Sequence, residues 1–133
     1  MIIKLNKEYM DWKDYEHFSN DLIKQLKQRQ IKFNNVFAIP RGGLVLGVTL
    51  SHHLGIPLIT NIEDVNVRTL IVDDISDNGN TIERMKDNLK NVFKIEGNVF
   101  ATLIYTTHTR SVPDYSVYCR KSDWIVFPWE EQK

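Results

Sequence analysis

"LIVDDISDNGNTIERM" (residues 70–85) joins an apolar run to two adjacent carboxylates, a polar turn and a helical pattern. Leu70, Ile71 and Val72 show no polar alternation, which marks a strand covered on both faces, and the strand is read over residues 69–73. The turn at 74–80 is rich in residues that tolerate positive φ. Beyond it Ile82, Met85, Leu89, Val92 and Phe93 recur at steps of three and four, which places a helix over 81–93 with these residues on one face. Asn80 followed by Glu83 is a capping pattern, with Thr81 a second cap candidate. Such a strand–turn–helix points backbone N–H groups and a helix N-terminus at one spot, which suits an anion. Two acids beside that spot repel an anion unless the ligand also carries hydroxyls. A sugar phosphate satisfies both: its diol donates to the carboxylates, its phosphate accepts from the loop, and a metal ion offsets the remaining charge. On loop composition alone, a plain turn with solvated acids is the other reading.

Working outward, Trp12, Tyr15, Phe18, Leu22, Ile23 and Leu26 share one face of a helix over 11–29. Residues 36–39 read as a short buried strand, followed by Pro-Arg-Gly-Gly and a helix over 44–54 that ends near Gly55. Residues 57–62 and 98–105 read as further strands, and two shorter ones follow Pro113, at 115–119 and 124–127. Strands alternating with helices imply an α/β fold with a mostly parallel sheet flanked by helices. In such sheets ligands bind at the carboxyl ends of the strands, and both glycine-containing loops, 40–43 and 74–80, lie there.

The 133 residues suggest one domain, 1–133. Lysine plus arginine equals aspartate plus glutamate, 17 each, so no net charge argues for a nucleic-acid or membrane partner. No apolar run approaches the roughly 20 residues of a membrane helix. The polar start does not read as a secretory segment, and Cys119 is the lone cysteine; both fit a cytoplasmic protein. Cys119 itself reads as buried and apolar. Of His52 and His53, one is expected packed and one exposed, with no metal role; His17 reads as a helix-surface residue.

LIVDDISDNGNT resembles the 5-phosphoribosyl-1-pyrophosphate (PRPP) motif of the type I phosphoribosyltransferases. IPRGGLVLG (39–47) resembles the pyrophosphate loop of their xanthine–guanine branch, and WIVFPWE (124–130) the C-terminal base-binding segment of bacterial and archaeal relatives. The three occur in the family's order. A receiver domain also has a strand ending in acids, but there that strand opens the domain. The resemblance implies the type I fold with a small C-terminal hood over 106–133. It implies transfer of the phosphoribosyl group of PRPP to a purine-like base with release of pyrophosphate, Mg²⁺ as cofactor, and a homo-oligomer, dimer or tetramer. Asp73 and Asp74 would hold the ribose hydroxyls and, largely through water, the Mg²⁺. Asp77, Asn78, Gly79, Asn80 and Thr81 would wrap the 5′-phosphate, and Arg41, Gly42 and Gly43 the pyrophosphate. Asp77 would lie near N7 of the base as a candidate general acid–base. Trp124 would stack on the base and the Ile125 backbone would read its edge, with Phe127 and Trp129 left to packing. A cis peptide bond is expected at Pro40–Arg41.

Two departures stand out. Oxopurine enzymes of the family place a lysine after the strand matching ATLIY, where it reads the 6-oxo group; here the matching residue is Thr106, with Thr107, His108 and Arg110 nearby. A threonine does not replace an ammonium donor. The long mobile loop usual before the PRPP strand is short or absent. These departures motivate the alternative of a PRPP- or nucleotide-binding regulatory protein with weak or no transferase activity.

Overall fold

The structure is a computed structural model that describes residues 1–130. The last three residues of the segment expected as a hood, 131–133, lie outside the described residues. In chain order the elements are β1 (Ile2–Lys4), β2 (Lys7–Tyr9), α1 (Trp12–Gln28), β3 (Asn35–Ala38), α2 (Leu44–Leu54), β4 (Leu58–Ile59), β5 (Thr69–Ser76), α3 (Asn80–Asn88), β6 (Phe100–Tyr105), β7 (Tyr118–Cys119) and β8 (Trp124–Val126). Five strands form an all-parallel sheet in the order β4-β3-β5-β6-β7. The chain runs from β3 outward to β4, then returns to β5 on the other side. The ends of β3 and β5 therefore flank the point where the strand order reverses, the place where open α/β sheets bind ligands.

Burial explains the central strands. Leu70, Ile71 and Val72 of β5 and Ala101, Leu103 and Ile104 of β6 are fully buried, as an unalternating apolar run demands. Helix α1 begins at a capping box: the Asp11 carboxylate accepts from Asp14 N at 2.7 Å, and the Asp14 carboxylate accepts from Asp11 N at 3.0 Å. Its Tyr15, Leu22, Ile23 and Leu26 enter the core, while Trp12 stays 55% exposed and meets Tyr15 and Trp129 edge-on or tilted. Among the described residues no helix is long and apolar enough to cross a membrane.

Several boundaries differ from the sequence reading. Strand β5 continues to Ser76, past the expected end at Asp73, because β6 pairs with it through Asp73↔Thr102, Ile75↔Ile104 and Ser76↔Tyr105. On the other edge β3 departs after Ala38, and its last link is Ile39 N to Val72 O at 2.8 Å. From Asp73 onward β5 thus forms a ledge supported on one side only. Helix α3 starts at Asn80, not Thr81, and gives way to a π-helical turn at Leu89–Phe93. The extra residue of that turn breaks the helical period and leaves Val92 65% exposed instead of on the apolar face. His52 and His53 are both exposed, and Cys119 is half-buried.

A second sheet, β1-β2-β8, lies outside the sequence reading except for β8. Strands β1 and β2 are antiparallel and joined at Leu5 and Asn6, both left-handed (φ 51° and 57°), the geometry of a tight hairpin turn. At three residues each, they are too short to show alternation. Residues 60–68, between β4 and β5, form no long loop. They hold a 3₁₀ turn at Ile62–Asp64 and buried Val65, and the Asn66 carbonyl accepts from the Asn98 carboxamide at 2.8 Å.

Glu8 joins the small sheet to the chain between β7 and β8. It is fully buried, and its carboxylate accepts from the Tyr118 hydroxyl, from Lys121 N at 2.6 Å, and from Ser122 N and hydroxyl at 2.8 and 3.0 Å. Burial alone would push its pKa up, but the four hydrogen bonds favour the ionised form and hold it below its ordinary 4.5. Burial and the adjacent carboxylate push the Tyr118 phenol up. A carboxyl depressed in the folded state stabilises fully above its unfolded value and loses that contribution as pH falls through the folded value. Glu8→Gln is therefore expected to cost about 1–3 kcal/mol at pH 7, with the gap from the parent narrowing below about pH 4. Urea unfolding at both pH values measures it.

Candidate active site

The loop after β3 and the ledge of β5 touch through glycine. A Cβ on Gly42 would lie 2.4 Å from the Asp74 Oδ2, and one on Gly43 would lie 2.7 Å from Val72 O and 3.1 Å from Asp73 Cα. A larger residue at Gly42 would force the Asp74 carboxylate aside, and one at Gly43 would press on sheet backbone. The sequence reading gave these glycines to close approach of an anion; the structure shows first an approach to the neighbouring strand. The Pro40–Arg41 peptide bond is cis, as the resemblance implied. Arg41 is exposed, without an ion pair among the described residues.

Asp73 and Asp74 are consecutive in a strand, yet both border one hollow of about 280 Å³, with Asp77, Asn78, Gly79 and Thr81. The strand need not end for this, because its open edge begins at Asp73. Asp74 N donates to Asp73 Oδ1, and Ile75 N to Asp74 Oδ1, each at 2.8 Å. No cation pairs with either acid among the described residues. Burial, then the charge of Asp74, pushes Asp73 up to about 8, and burial likewise raises Asp74. The pair is thus a buried, uncompensated acidic site, the condition of carboxylates awaiting donors or a cation.

The turn beyond is shaped by Gly79, at φ 89°, where a Cβ would lie 2.6 Å from Ser111 N. Glycine is required there on both counts. No side chain caps α3 at Gly79; instead the Asn78 side chain accepts from Asn80 N at 2.9 Å, so neither Asn80 nor Thr81 is the cap. Residues 106–111 pack over this turn. Arg110 N donates to Asn78 O at 3.0 Å, the Arg110 guanidinium to the Asn80 side chain, and the Thr106 hydroxyl to Asp77 O.

A second hollow, of about 190 Å³, adjoins the first through Asp74 and Asp77. Arg120, Trp124, Ile125 and Phe127 also line it. Trp124 is 54% exposed at this hollow. Thr106 is 3% exposed, donates its hydroxyl to Asp77 O and is absent from this lining, whereas Arg120 is part of it. The sequence did not single out Arg120, because a lone arginine after a two-residue strand carries no pattern. Phe127 stacks on Trp129 at 4.8 Å, and Trp129 meets Tyr15 edge-on at 5.6 Å.

Residues 60–132 match the phosphoribosyl transferase domain family. The chain belongs to that family. It is 32% identical to the purine phosphoribosyltransferase of Pyrococcus horikoshii Ot3, with a TM-score of 0.84 over 97% of each chain. It also superposes on the xanthine-guanine-hypoxanthine phosphoribosyltransferase of Helicobacter pylori with a TM-score of 0.80 at 23% identity, over 93% of this chain and 94% of the other. A hypothetical protein from Neisseria gonorrhoeae with bound ppGpp shares the fold, with a TM-score of 0.75 at 18% identity, over 96% of this chain and 90% of the other.

For this phosphoribosyltransferase the raised Asp73 has a stability consequence. A carboxyl raised in the folded state costs stability as pH rises from its unfolded value to its folded one, here from 3.8 to about 8. Ligand-free Asp73→Asn, which keeps the acceptor oxygen for Asp74 N, is expected to exceed the parent by on the order of 1–3 kcal/mol at pH 8 and to match it near pH 4. Chemical denaturation at the two pH values checks this.

Proposed function

We propose that the protein transfers the phosphoribosyl group of PRPP to a ring nitrogen of a purine-like base and releases pyrophosphate. The observation that carries this reading is the meeting of the glycine loop, the buried acid pair and the anion-suited turn at one strand-order reversal. The adjoining hollow under Trp124 has room for a flat ring. Asp73 and Asp74 accept hydrogen bonds from the ribose diol. The turn from Asp77 to Thr81 holds the 5′-phosphate, and Arg41, Gly42 and Gly43 receive the pyrophosphate. Trp124 stacks on the base and the Ile125 backbone meets its edge. Fixing both reactants in one cleft supplies the orientation that a two-substrate transfer needs.

In the transfer a bond forms between the base nitrogen and C1 of the ribose, and the C1–oxygen bond to pyrophosphate breaks. Pyrophosphate leaves with the electron pair, and the base proton passes to Asp77 or to solvent. The uncompensated acids fit a Mg²⁺·PRPP complex. Among the described residues no group of three or more His, Cys, Asp or Glu side chains is placed to hold a metal, so Asp73 and Asp74 would hold Mg²⁺ largely through water, beside PRPP oxygens. Bound there, Mg²⁺ would neutralise phosphate charge. The lone cysteine fits a cytoplasmic setting, and exposed Ile2, Ile3 and Leu5 offer apolar surface for a homo-oligomer.

Incubation with Mg²⁺, PRPP and guanine, hypoxanthine, xanthine or adenine in turn is expected to give base-dependent release of pyrophosphate. Calorimetric PRPP binding without release for any base would favour a regulatory protein instead. The double variant Asp73→Asn/Asp74→Asn should bind Mg·PRPP about tenfold or more weakly while keeping its circular dichroism spectrum. Unchanged affinity would remove the acids from the site.

A further inference from the structure

We infer that Arg120 is the residue that selects the base, reading the 6-oxo edge of an oxopurine in the place Thr106 leaves vacant; the inference rests on the transferase reading above. Arg120 directly follows β7, and its backbone N is tied to Tyr105 O at 2.8 Å. Its side chain is 8% exposed and lines the hollow shared with Asp77, Trp124 and Ile125. Nη1 lies 3.2 Å from Asp77 Oδ2, the one side-chain partner, among the described residues, of a guanidinium that carries five N–H donors. Nε is buried and has no partner among the described residues. A buried donor without an acceptor costs free energy unless a ligand supplies one.

The chemistry of that acceptor follows from the donor. A guanidinium gives hydrogen bonds and takes none. On the edge bearing position 6 and N7, a 6-oxopurine offers two acceptors, whereas adenine offers one acceptor and one amino donor. Asp77 is already engaged on both carboxylate oxygens, Oδ2 with Arg120 and Oδ1 at 3.1 Å with His108 Nε2. Arg120 therefore has only donors left to offer, and an amino group at position 6 beside it meets them donor to donor, while Asp74 and Glu130 line another part of the hollow. Arg120 is absent from the lining of the hollow that holds Asp73, Asn78, Gly79 and Thr81, so it can read the base while leaving those contacts alone.

The experiment compares the parent with Arg120→Gln, Arg120→Lys and Thr106→Lys, using hypoxanthine, guanine and adenine with Mg·PRPP. Arg120→Gln is expected to lower kcat/KM for hypoxanthine and guanine by about 10–100-fold, to leave adenine unchanged or improved, and to keep PRPP affinity within about twofold. Arg120→Lys, which retains donors, should recover part of the oxopurine rate. Thr106→Lys should leave the parent's ranking of the three bases unchanged, because Arg120 already supplies the donors. An equal fall with all three bases would assign Arg120 to holding Asp77 and overturn the inference, as would a parent that prefers adenine. Absence of pyrophosphate release with every base in the parent would be failure of the transferase reading alone. The inference is then decided by calorimetry with IMP and AMP: a parent preference for IMP that Arg120→Gln removes supports it, and no preference overturns it.

Discussion

The contact of Gly42 and Gly43 with Asp74, Val72 and Asp73 is the constraint on which the site depends. It places the loop after β3 against the open edge of β5, within a side chain's thickness of two carboxylates. That edge exists because β3 departs after Ala38 while β6 continues to support β5 as far as Ser76. A fully paired β5 would leave no side for the loop to approach, and a shorter β6 would leave the acids on a frayed end. The glycines do not serve an anion alone; their missing side chains let two distant stretches of sequence form one cleft. Any Cβ at Gly43 would press on backbone that is itself part of the sheet, which cannot yield as a flexible side chain would.

The same arrangement leaves a cost in the ligand-free molecule. Two neighbouring acids are largely withdrawn from water, with no cation paired to them among the described residues, and Asp73 is pushed up to about 8. Such groups are the usual exception to the rule that a fold buries only satisfied polarity. A ligand that brings hydroxyl donors and a bound cation removes the penalty on binding, so part of its affinity comes from relieving a strain already present. The cleft achieves this without a lid from residues 60–68, whose short path is pinned by Val65 and Asn66.

The parts legible in the sequence were those with a period or a motif. The parallel sheet followed from unalternating apolar strands between amphipathic helices, and the two glycine-containing loops at its carboxyl ends from consecutive residues at strand ends. The boundary of β5 was misjudged because pairing with β6, a long-range contact, overrode the turn-like composition of residues 74–76. Val92 was misplaced because a π-helical turn shifts the period without any signature in residue type. The hairpin over residues 2–9 escaped because three-residue strands show no alternation, and its anchor Glu8 reads as one more surface acid until its four donors are seen.

The two hollows differ in how they are built. The one proposed for the phosphate uses neighbours in sequence, fixed by one strand and one turn, so a motif can announce it. The one proposed for the base collects Asp77, Arg120, Trp124 and Ile125 from three separate stretches. Their relative positions depend on β8 pairing with β2 and on Glu8 gathering the 121–122 backbone. The fully buried Glu8 thereby fixes the segment between Arg120 and Trp124 from below, although it touches neither hollow. A loss at Glu8 would loosen the hollow beside Trp124 before the hollow beside Asp73, because the latter hangs from β5 and the former partly from the small sheet. On the proposed function, selection among bases is thus tied to the hairpin of β1 and β2, and recognition of the sugar phosphate to the centre of the large sheet.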